Sequence, residues 1–214
     1  VMLDFIVKGG PVMWPIVGFS IIACVIIIER FLYLHKISKN EEKLFTYVKK
    51  SLNEGHYNEA LAICDQNTSP FSTLLKIGIE NRHQPEMVQR DILKDAASLE
   101  APKLESGLSL LGTIIGIEPL MGLLGTVTGT MKAFGVLSTF GAVSDPTALA
   151  LGVSEALITT VGGLVVAIPC TIFYNYFVNR VNAILIRLES QVNSLVLLIN
   201  SANGKAKDDD PEEV

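Results

Sequence analysis

The chain has 214 residues, of which 49% are hydrophobic and only 18% are charged, and its formal net charge is -5. Soluble domains carry about a quarter charged residues, so this composition argues against a soluble protein and favours a membrane protein. The sequence has no basic cluster that would predict nucleic-acid binding and no glycine loop that would bind phosphate. Its three cysteines are widely spaced, so they form no zinc or redox motif.

The first apolar span covers residues 12–34, with Trp14 near its start as an anchor at the membrane interface. The span lacks a small-residue cleavage site, and apolar residues continue after Glu29 and Arg30, so we predict a retained anchor and not a signal peptide. We assign residues 1–35 to a periplasmic N-terminal segment and the first transmembrane helix.

A polar segment, residues 36–105, separates the first span from the second. Apolar residues recur at helical spacing in 42–52 and 57–65, which predicts a helical cytoplasmic domain without strands. Three prolines divide the segment, at Pro70, Pro85 and Pro102. The candidates for helix starts are Ser69 and Gln84.

Two longer apolar spans follow. We assign the second transmembrane helix to residues 106–138 and the third to 147–180, joined by a periplasmic turn at 139–146. Both exceed the roughly 20 residues that a bilayer requires, so we expect them to continue beyond the hydrocarbon as unbroken helices. Residues 181–214 are predicted to be a cytoplasmic helix extension that ends in an acidic, disordered tail.

Basic residues predict the orientation. They follow the first and third spans, at Arg30, Lys36, Lys39, Lys43, Lys49, Lys50, Arg180 and Arg187. Because cytoplasmic loops are enriched in Lys and Arg, we expect the N-terminus outside the cell and the polar segment and C-terminus inside it.

The third span carries a single acid, Glu155, in a run from 148 to 177 that has no other charged side chain. An acid at membrane depth is costly unless it faces water or a partner, and such residues usually serve ion movement. The alternative is a structural carboxyl that donates a hydrogen bond to a neighbouring helix.

A helical wheel of the third span separates small residues from bulky ones. The arc that contains Glu155 also holds Gly152, Ala156, Thr159, Thr160, Gly162, Gly163 and Ala167. The opposite arc holds Leu157, Ile158, Val161, Leu164, Val165 and Ile168. We therefore expect the bulky arc to meet lipid and the small arc to pack against other helices.

The second span offers a matching surface. Its glycines lie three and four residues apart, at Gly122, Gly125 and Gly129. We predict that they pack against small residues of the third span, namely Gly152, Ala156 and Gly163. Thr126 has two interpretations: its hydroxyl bonds back to its own helix, or it lines the same lumen as Glu155.

Two further charges belong to the second span. Glu118, beside Pro119 at the inner end of the span, is predicted to be a solvated residue at the cytoplasmic mouth of a pore. Lys132 is a candidate cation for Glu155, but it lies about a turn and a half beyond Thr126, and we expect its side chain to reach the outer interface.

Three stretches of sequence carry a resemblance to a known family. They are residues 8–15 with Glu29-Arg30, residues 119–127, and residues 152–160 with Ala167-Ile168-Pro169 and Tyr174-Asn175. Together they resemble the MotA, TolQ and ExbB family of membrane motor and proton-channel subunits over nearly the whole chain. The large first cytoplasmic loop and the three spans are similar to ExbB and TolQ, not to the four-span flagellar stator.

The resemblance implies an all-α integral membrane protein with three long transmembrane helices and a helical cytoplasmic domain, assembled as a homopentamer around a central pore. Carried over residue by residue, it implies that Glu155, Thr126 and Thr160 are pore-lining positions of the proton pathway. We add Thr159 to the pore-lining positions as a second hydroxyl beside Thr160, which leaves the choice between proton and sodium open. Glu118 departs from the family pattern, which more often has a small residue before the proline.

The implied partners are a dimeric, ExbD-like single-span protein with a transmembrane aspartate and a TonB-like protein, in the inner membrane of a bacterium. No cofactor, metal or covalent turnover is expected. The close alternative is a TolQ-like subunit of the Tol-Pal envelope system. Alternatives of other classes are a passive membrane scaffold and a secondary transporter, although the inverted repeats of transporters are missing.

Overall fold

The structure is a computed structural model that describes residues 6–67, 69–140 and 146–208. Within these ranges the chain is helical and has no strand. The main elements are α1 (Met13–Asn53), α2 (Tyr57–Asp65), α3 (Pro70–Glu80), α4 (Glu86–Glu105), α5 (Leu108–Phe140) and α6 (Pro146–Asp208). The predicted acidic tail after residue 208 and most of the predicted turn at 139–146 lie outside the described residues.

The chain divides into two compact units. The apolar unit combines residues 1–30 with 107–178, and the polar unit combines residues 31–106 with 179–214. The apolar unit therefore contains the start of α1, all of α5 and the first half of α6, while the polar unit contains α2, α3 and α4.

Three helices of the described part are long and apolar enough to cross a membrane. The stretches lie within Met13–Ile37, Glu86–Gly135 and Leu149–Ser201, and their mean hydropathies are 2.1, 1.7 and 2.1. This finding confirms the prediction of an all-α protein with three candidate spans. The last of them belongs to a helix, α6, that continues without a break for 63 residues.

The two arcs of the third span differ in exposure as the helical wheel predicts. On the small arc, the residues buried in the chain are Gly152, Ala156, Thr159, Gly162, Gly163 and Ala167. On the bulky arc, the exposed residues are Leu157, Val161, Leu164, Val165 and Ile168. Such an apolar surface suits lipid or the helices of another chain.

The helices α3 and α4 of the polar unit begin close to the predicted positions. Ser69 starts α3 through a capping box, in which Ser69 and Ser72 each accept a hydrogen bond from the other's backbone amide at 3.1 Å. The start predicted at Gln84 is one residue early, because Pro85 is the residue before the first turn of α4. Pro102 does not interrupt α4, since the helix continues past it to its last residue, Glu105.

Cys64 of α2 offers a test of packing in the polar unit. Its side chain is 3% exposed, and burial, reinforced by the charge of Asp65 and opposed by Lys76, raises the pKa of its thiol to about 11. Because the thiolate is the reactive form, we predict slow labelling of Cys64 by a maleimide at neutral pH, with a rate that rises towards pH 11. Labelling would be followed by mass spectrometry.

The labelling experiment needs a variant in which the other cysteines, Cys24 and Cys170, are replaced by serine. The reference is the labelling rate of the same variant after it has been unfolded in a denaturing detergent, where the thiol is exposed to water. Equal rates in the folded and unfolded protein would contradict the described packing of α2.

Candidate functional site

α5 and α6 pack against each other along a seam of small residues. Residue numbers rise along one helix as they fall along the other, so the two helices are antiparallel: Gly129 faces Gly152 and Ala156, Gly125 faces Thr159, Gly122 faces Thr160, and Glu118 faces Gly163. The structure thus brings together all six residues that the sequence predicts as packing positions, Gly122, Gly125, Gly129, Gly152, Ala156 and Gly163.

Along the seam, α5 and α6 lie too close together for a side chain at the glycine positions. A Cβ atom on Gly129 would lie 2.8 Å from the carbonyl oxygen of Gly152, and one on Gly163 would lie 2.5 Å from the carbonyl oxygen of Glu118. A Cβ on Gly125 would overlap the side chain of Thr159. Because backbone atoms cannot rotate away as a side chain can, the helices reach this separation only with glycine at these positions.

Glu155 forms an ion pair with Lys132 on the flank of the seam. The Nζ atom of Lys132 on α5 donates to the Oε1 atom of Glu155 on α6 at 2.5 Å, and the two side chains are 52% and 20% exposed. In a low-dielectric medium the attraction between opposite charges is several times stronger than in water. The acid of the third span therefore has its own counter-ion within the same chain.

The structure confirms Lys132 as the candidate cation for Glu155, since its side chain turns to the carboxylate. Lys132 follows Gly129 by three residues, so it lies on nearly the same face of α5 as the seam. Gly129 in turn packs against Ala156, the residue next to Glu155. The close helix contact therefore places the lysine within reach of the carboxylate.

A turn before α1 covers one side of Glu155. Gly10 has a φ of +68°, a conformation that favours glycine, and a Cβ atom on it would overlap the Glu155 carboxylate. The amide of Met13 donates to the carbonyl of Gly10 at 3.2 Å, and the side chain of Met13 packs against Gly162 of α6. Sequence reasoning did not predict Gly10 as a site residue, although two consecutive glycines before a proline were a signal of close backbone approach.

The three hydroxyl groups predicted to line a pathway, those of Thr126, Thr159 and Thr160, each donate a hydrogen bond to a backbone carbonyl. Thr126 donates to the carbonyl of Leu123 in its own helix at 2.6 Å, the first of its two interpretations. Thr160 donates across the seam to the carbonyl of Gly122 at 3.1 Å. In the described part of the chain, no hydrogen bond joins the hydroxyl of either residue to the Glu155 carboxylate.

Thr159 lies inside the seam. Its side chain is 0% exposed, and its hydroxyl donates to the carbonyl of Ala156 at 2.9 Å. That burial contradicts the prediction that Thr159 lines a pore, because a group enclosed by its own chain cannot face a lumen between chains. Its role is to fill the space that Gly125 leaves.

Glu118 is also enclosed by its own chain. The residue is 0% exposed, and neither carboxylate oxygen has a hydrogen-bond partner among the described residues. That burial contradicts the prediction that the side chain of Glu118 is solvated. The reason is visible in the spacing: Glu118 precedes Gly122 by four residues and Gly125 by seven, so it lies on the packed face of α5.

The sequence profile of the MotA/TolQ/ExbB proton channel family matches residues 66–190, which include α5, the ion pair and the seam. The chain belongs to this family. It is 33% identical to a protein of Methanothermobacter thermautotrophicus that is named as an ExbB homolog. The aligned stretch has 186 residues and covers 85% of this chain. The match covers 64% of that relative, so the chain spans less than two thirds of its length.

Two bacterial relatives carry similar names. The chain is 33% identical over 174 residues to a protein of Synechocystis named ExbB-like 3, covering 79% of this chain and 81% of the relative. It is 41% identical over 104 residues to the biopolymer transport protein ExbB of Xanthomonas campestris, covering 49% of this chain and 40% of the relative. These names agree with the resemblance to ExbB within the family.

The seam predicts a sharp difference between two glycines of α5. Gly125→Ala introduces a methyl group that overlaps Thr159, and overpacking of this kind costs about 1–3 kcal/mol. We expect this variant to have a lower unfolding temperature in detergent than the unmodified protein, measured by circular dichroism.

Gly116→Ala is the matched control on the same helix. A Cβ atom at Gly116 meets nothing within 4 Å, and alanine is the better helix former by about 1 kcal/mol. We expect this variant to be as stable as the parent or more so. If the two alanine variants were equally stable, the described approach of α5 to α6 would be incorrect.

Proposed function

We propose that this chain is the ExbB-like, pore-forming subunit of a motor complex that uses the proton-motive force to energise TonB-dependent outer-membrane transport. Five copies surround a central pore in the bacterial inner membrane, with the N-terminus periplasmic and the C-terminus cytoplasmic. An ExbD-like single-span protein with a transmembrane aspartate occupies the pore, and a TonB-like protein receives the work. Family membership and the ExbB names of the relatives support this proposal.

The observation that carries the proposal is the Lys132–Glu155 ion pair on two apolar helices. Charged side chains in an apolar span are energetically costly, and a passive anchor has no use for them. Acids within membrane spans therefore mark ion pathways by default. Glu155 is partly exposed while its partner Lys132 is half exposed. The carboxylate is therefore held in place on one side and open on another, as a group that exchanges protons requires.

Protonation of Glu155 would change the forces at the seam. A neutral carboxyl attracts the Lys132 ammonium far less than a carboxylate does, so a proton that arrives loosens the pair and one that leaves restores it. A potential of 100 mV supplies about 2.3 kcal/mol for each charge that crosses the membrane. That energy is sufficient to bias a step of one subunit against its partner without nucleotide hydrolysis.

The remaining polar positions of the proposed path are Thr126 and Thr160, which are each partly buried in the single chain. Their hydroxyl groups already satisfy backbone carbonyls. Each hydroxyl oxygen can still accept a hydrogen bond from water. In this proposal they keep the lumen wet beside Glu155, and the ion is a proton.

Assembly into a larger complex is supported by the outer face of α5. Its exposed apolar side chains recur at helical spacing and form one stripe: Leu120, Leu123, Leu124, Val127, Met131 and Phe134. In the proposed pentamer, lipid and the helices of neighbouring copies cover this stripe.

We predict that Glu155→Gln abolishes proton flux and leaves assembly intact, because glutamine keeps the shape of the side chain but cannot bind and release a proton. Loss of a proton-transfer group typically costs about 10²-fold or more in rate. The measurement is proton-dependent dye quenching in liposomes that contain the chain with its single-span partner.

Glu80→Gln is the control, since Glu80 is an exposed residue of α3 in the polar unit. We expect this variant to conduct protons as the unmodified complex does. Native mass spectrometry of both variants would report assembly. Undiminished flux through Glu155→Gln would overturn the proposed path, and an unassembled Glu155→Gln variant would make Glu155 structural.

The same liposomes separate the proposal from a passive scaffold, which would conduct nothing with or without Glu155. The choice between the ExbB and TolQ roles requires a deletion strain. A defect in iron uptake supports the TonB-dependent role, while detergent sensitivity with normal iron uptake supports the Tol-Pal role.

A further inference from the structure

Glu118 is a buried acid that the proposed path through Glu155 does not use. It lies in α5, one residue before Pro119, and its carboxyl is enclosed between helices of the apolar unit. Both side-chain oxygens are inaccessible, and neither accepts a hydrogen bond from any described residue. Buried polar groups are almost always paired, so an acid without a partner requires an explanation.

The surroundings of Glu118 determine its charge. An ionised carboxylate whose oxygens are inaccessible to bulk solvent, and which accepts a hydrogen bond from no described residue, costs far more free energy than the neutral acid. Among the described residues, Cys170 on α6 is a titratable group within electrostatic range of Glu118, and Cys24 of α1 lies within range of Cys170. Neither thiol supplies a positive charge that could compensate a carboxylate. Burial without a compensating positive charge therefore favours the protonated, neutral form of the carboxyl.

The position of Glu118 relates it to Glu155. Gly163 faces Glu118 across the seam, and it follows Glu155 by eight residues on α6. Eight residues of helix rise by about 12 Å. The two acids thus lie at two depths of the same helix pair, one paired with a lysine and open to its surroundings, the other unpaired and enclosed.

We infer that Glu118 is a second proton-binding site of the α5–α6 seam, occupied at neutral pH and in exchange with solvent on the path that Glu155 serves. Its ligand is a proton that enters from water and returns to water with no other chemical change. The statement about the path depends on the proposed function, but the statement about proton binding does not.

The test begins with infrared spectroscopy of the complex with its single-span partner in nanodiscs at pH 7. We expect a carboxylic-acid C=O band in the unmodified protein that persists in Glu155→Gln and disappears in Glu118→Gln. Transfer to D₂O should shift the band as the proton exchanges. Absence of the band, or a band that D₂O never shifts, would overturn the inference.

Proton flux in liposomes is the second readout. Glutamine preserves the size of the side chain at residue 118 but cannot release a proton, so we expect Glu118→Gln to assemble and to lower flux several-fold. Glu118→Ala, which introduces the small residue more usual in the family, serves as the second variant should the glutamine variant fail to assemble. Undiminished flux in an assembled variant would remove Glu118 from the path.

The infrared band and the proton flux together distinguish a failure of the inference about Glu118 from a failure of the proposed function. If the unmodified complex conducts and the Glu118 variants conduct equally well, the inference fails and the proposed function stands. If the unmodified complex conducts nothing, the proposed function fails, and the infrared band and its exchange still decide whether Glu118 binds a proton.

Discussion

The close approach of α5 to α6 is the constraint on which the rest of the site depends. Glycine at Gly122, Gly125 and Gly129 lets the backbones come near enough that Thr160 bonds directly to a carbonyl of the other helix. The same approach places Lys132 against Glu155 and encloses Glu118. A larger side chain at the centre of the seam would therefore alter the ion pair and the buried acid together.

The contribution of the ion pair depends on the medium around the two helices. In lipid, helices do not associate by the hydrophobic effect, so packing and polar contacts hold them together. An exposed ion pair in water contributes about 0–1 kcal/mol, but a charge left alone in a low-dielectric place is costly. Each member of the pair therefore offsets part of the cost of the other's charge, and any event that neutralises one of them changes how strongly the two helices are held.

Much of the fold and part of the site could be predicted from the sequence. Helical periodicity separated the buried and exposed arcs of the third span, and the range 57–65 matches α2. The glycine spacing identified the seam, because small residues three and four apart have one common structural use. These features are local, so a single helix is sufficient to display them.

The rest depended on how two helices meet, which one sequence does not specify. Lys132 has a long, flexible side chain that could reach either an interface or an acid, and only the register of α5 against α6 selects Glu155. Glu118 was misjudged because its charge suggested water, although its spacing from Gly122 already placed it on the packed face.

A charge exchange between residues 132 and 155 tests the central claim most directly. Lys132→Glu and Glu155→Lys each place like charges together, and the account predicts that each lowers the unfolding temperature in detergent. The double variant restores opposite charges and should recover most of that loss. If the double variant were no more stable than the less stable single variant, Lys132 and Glu155 would not be partners and the account would be contradicted.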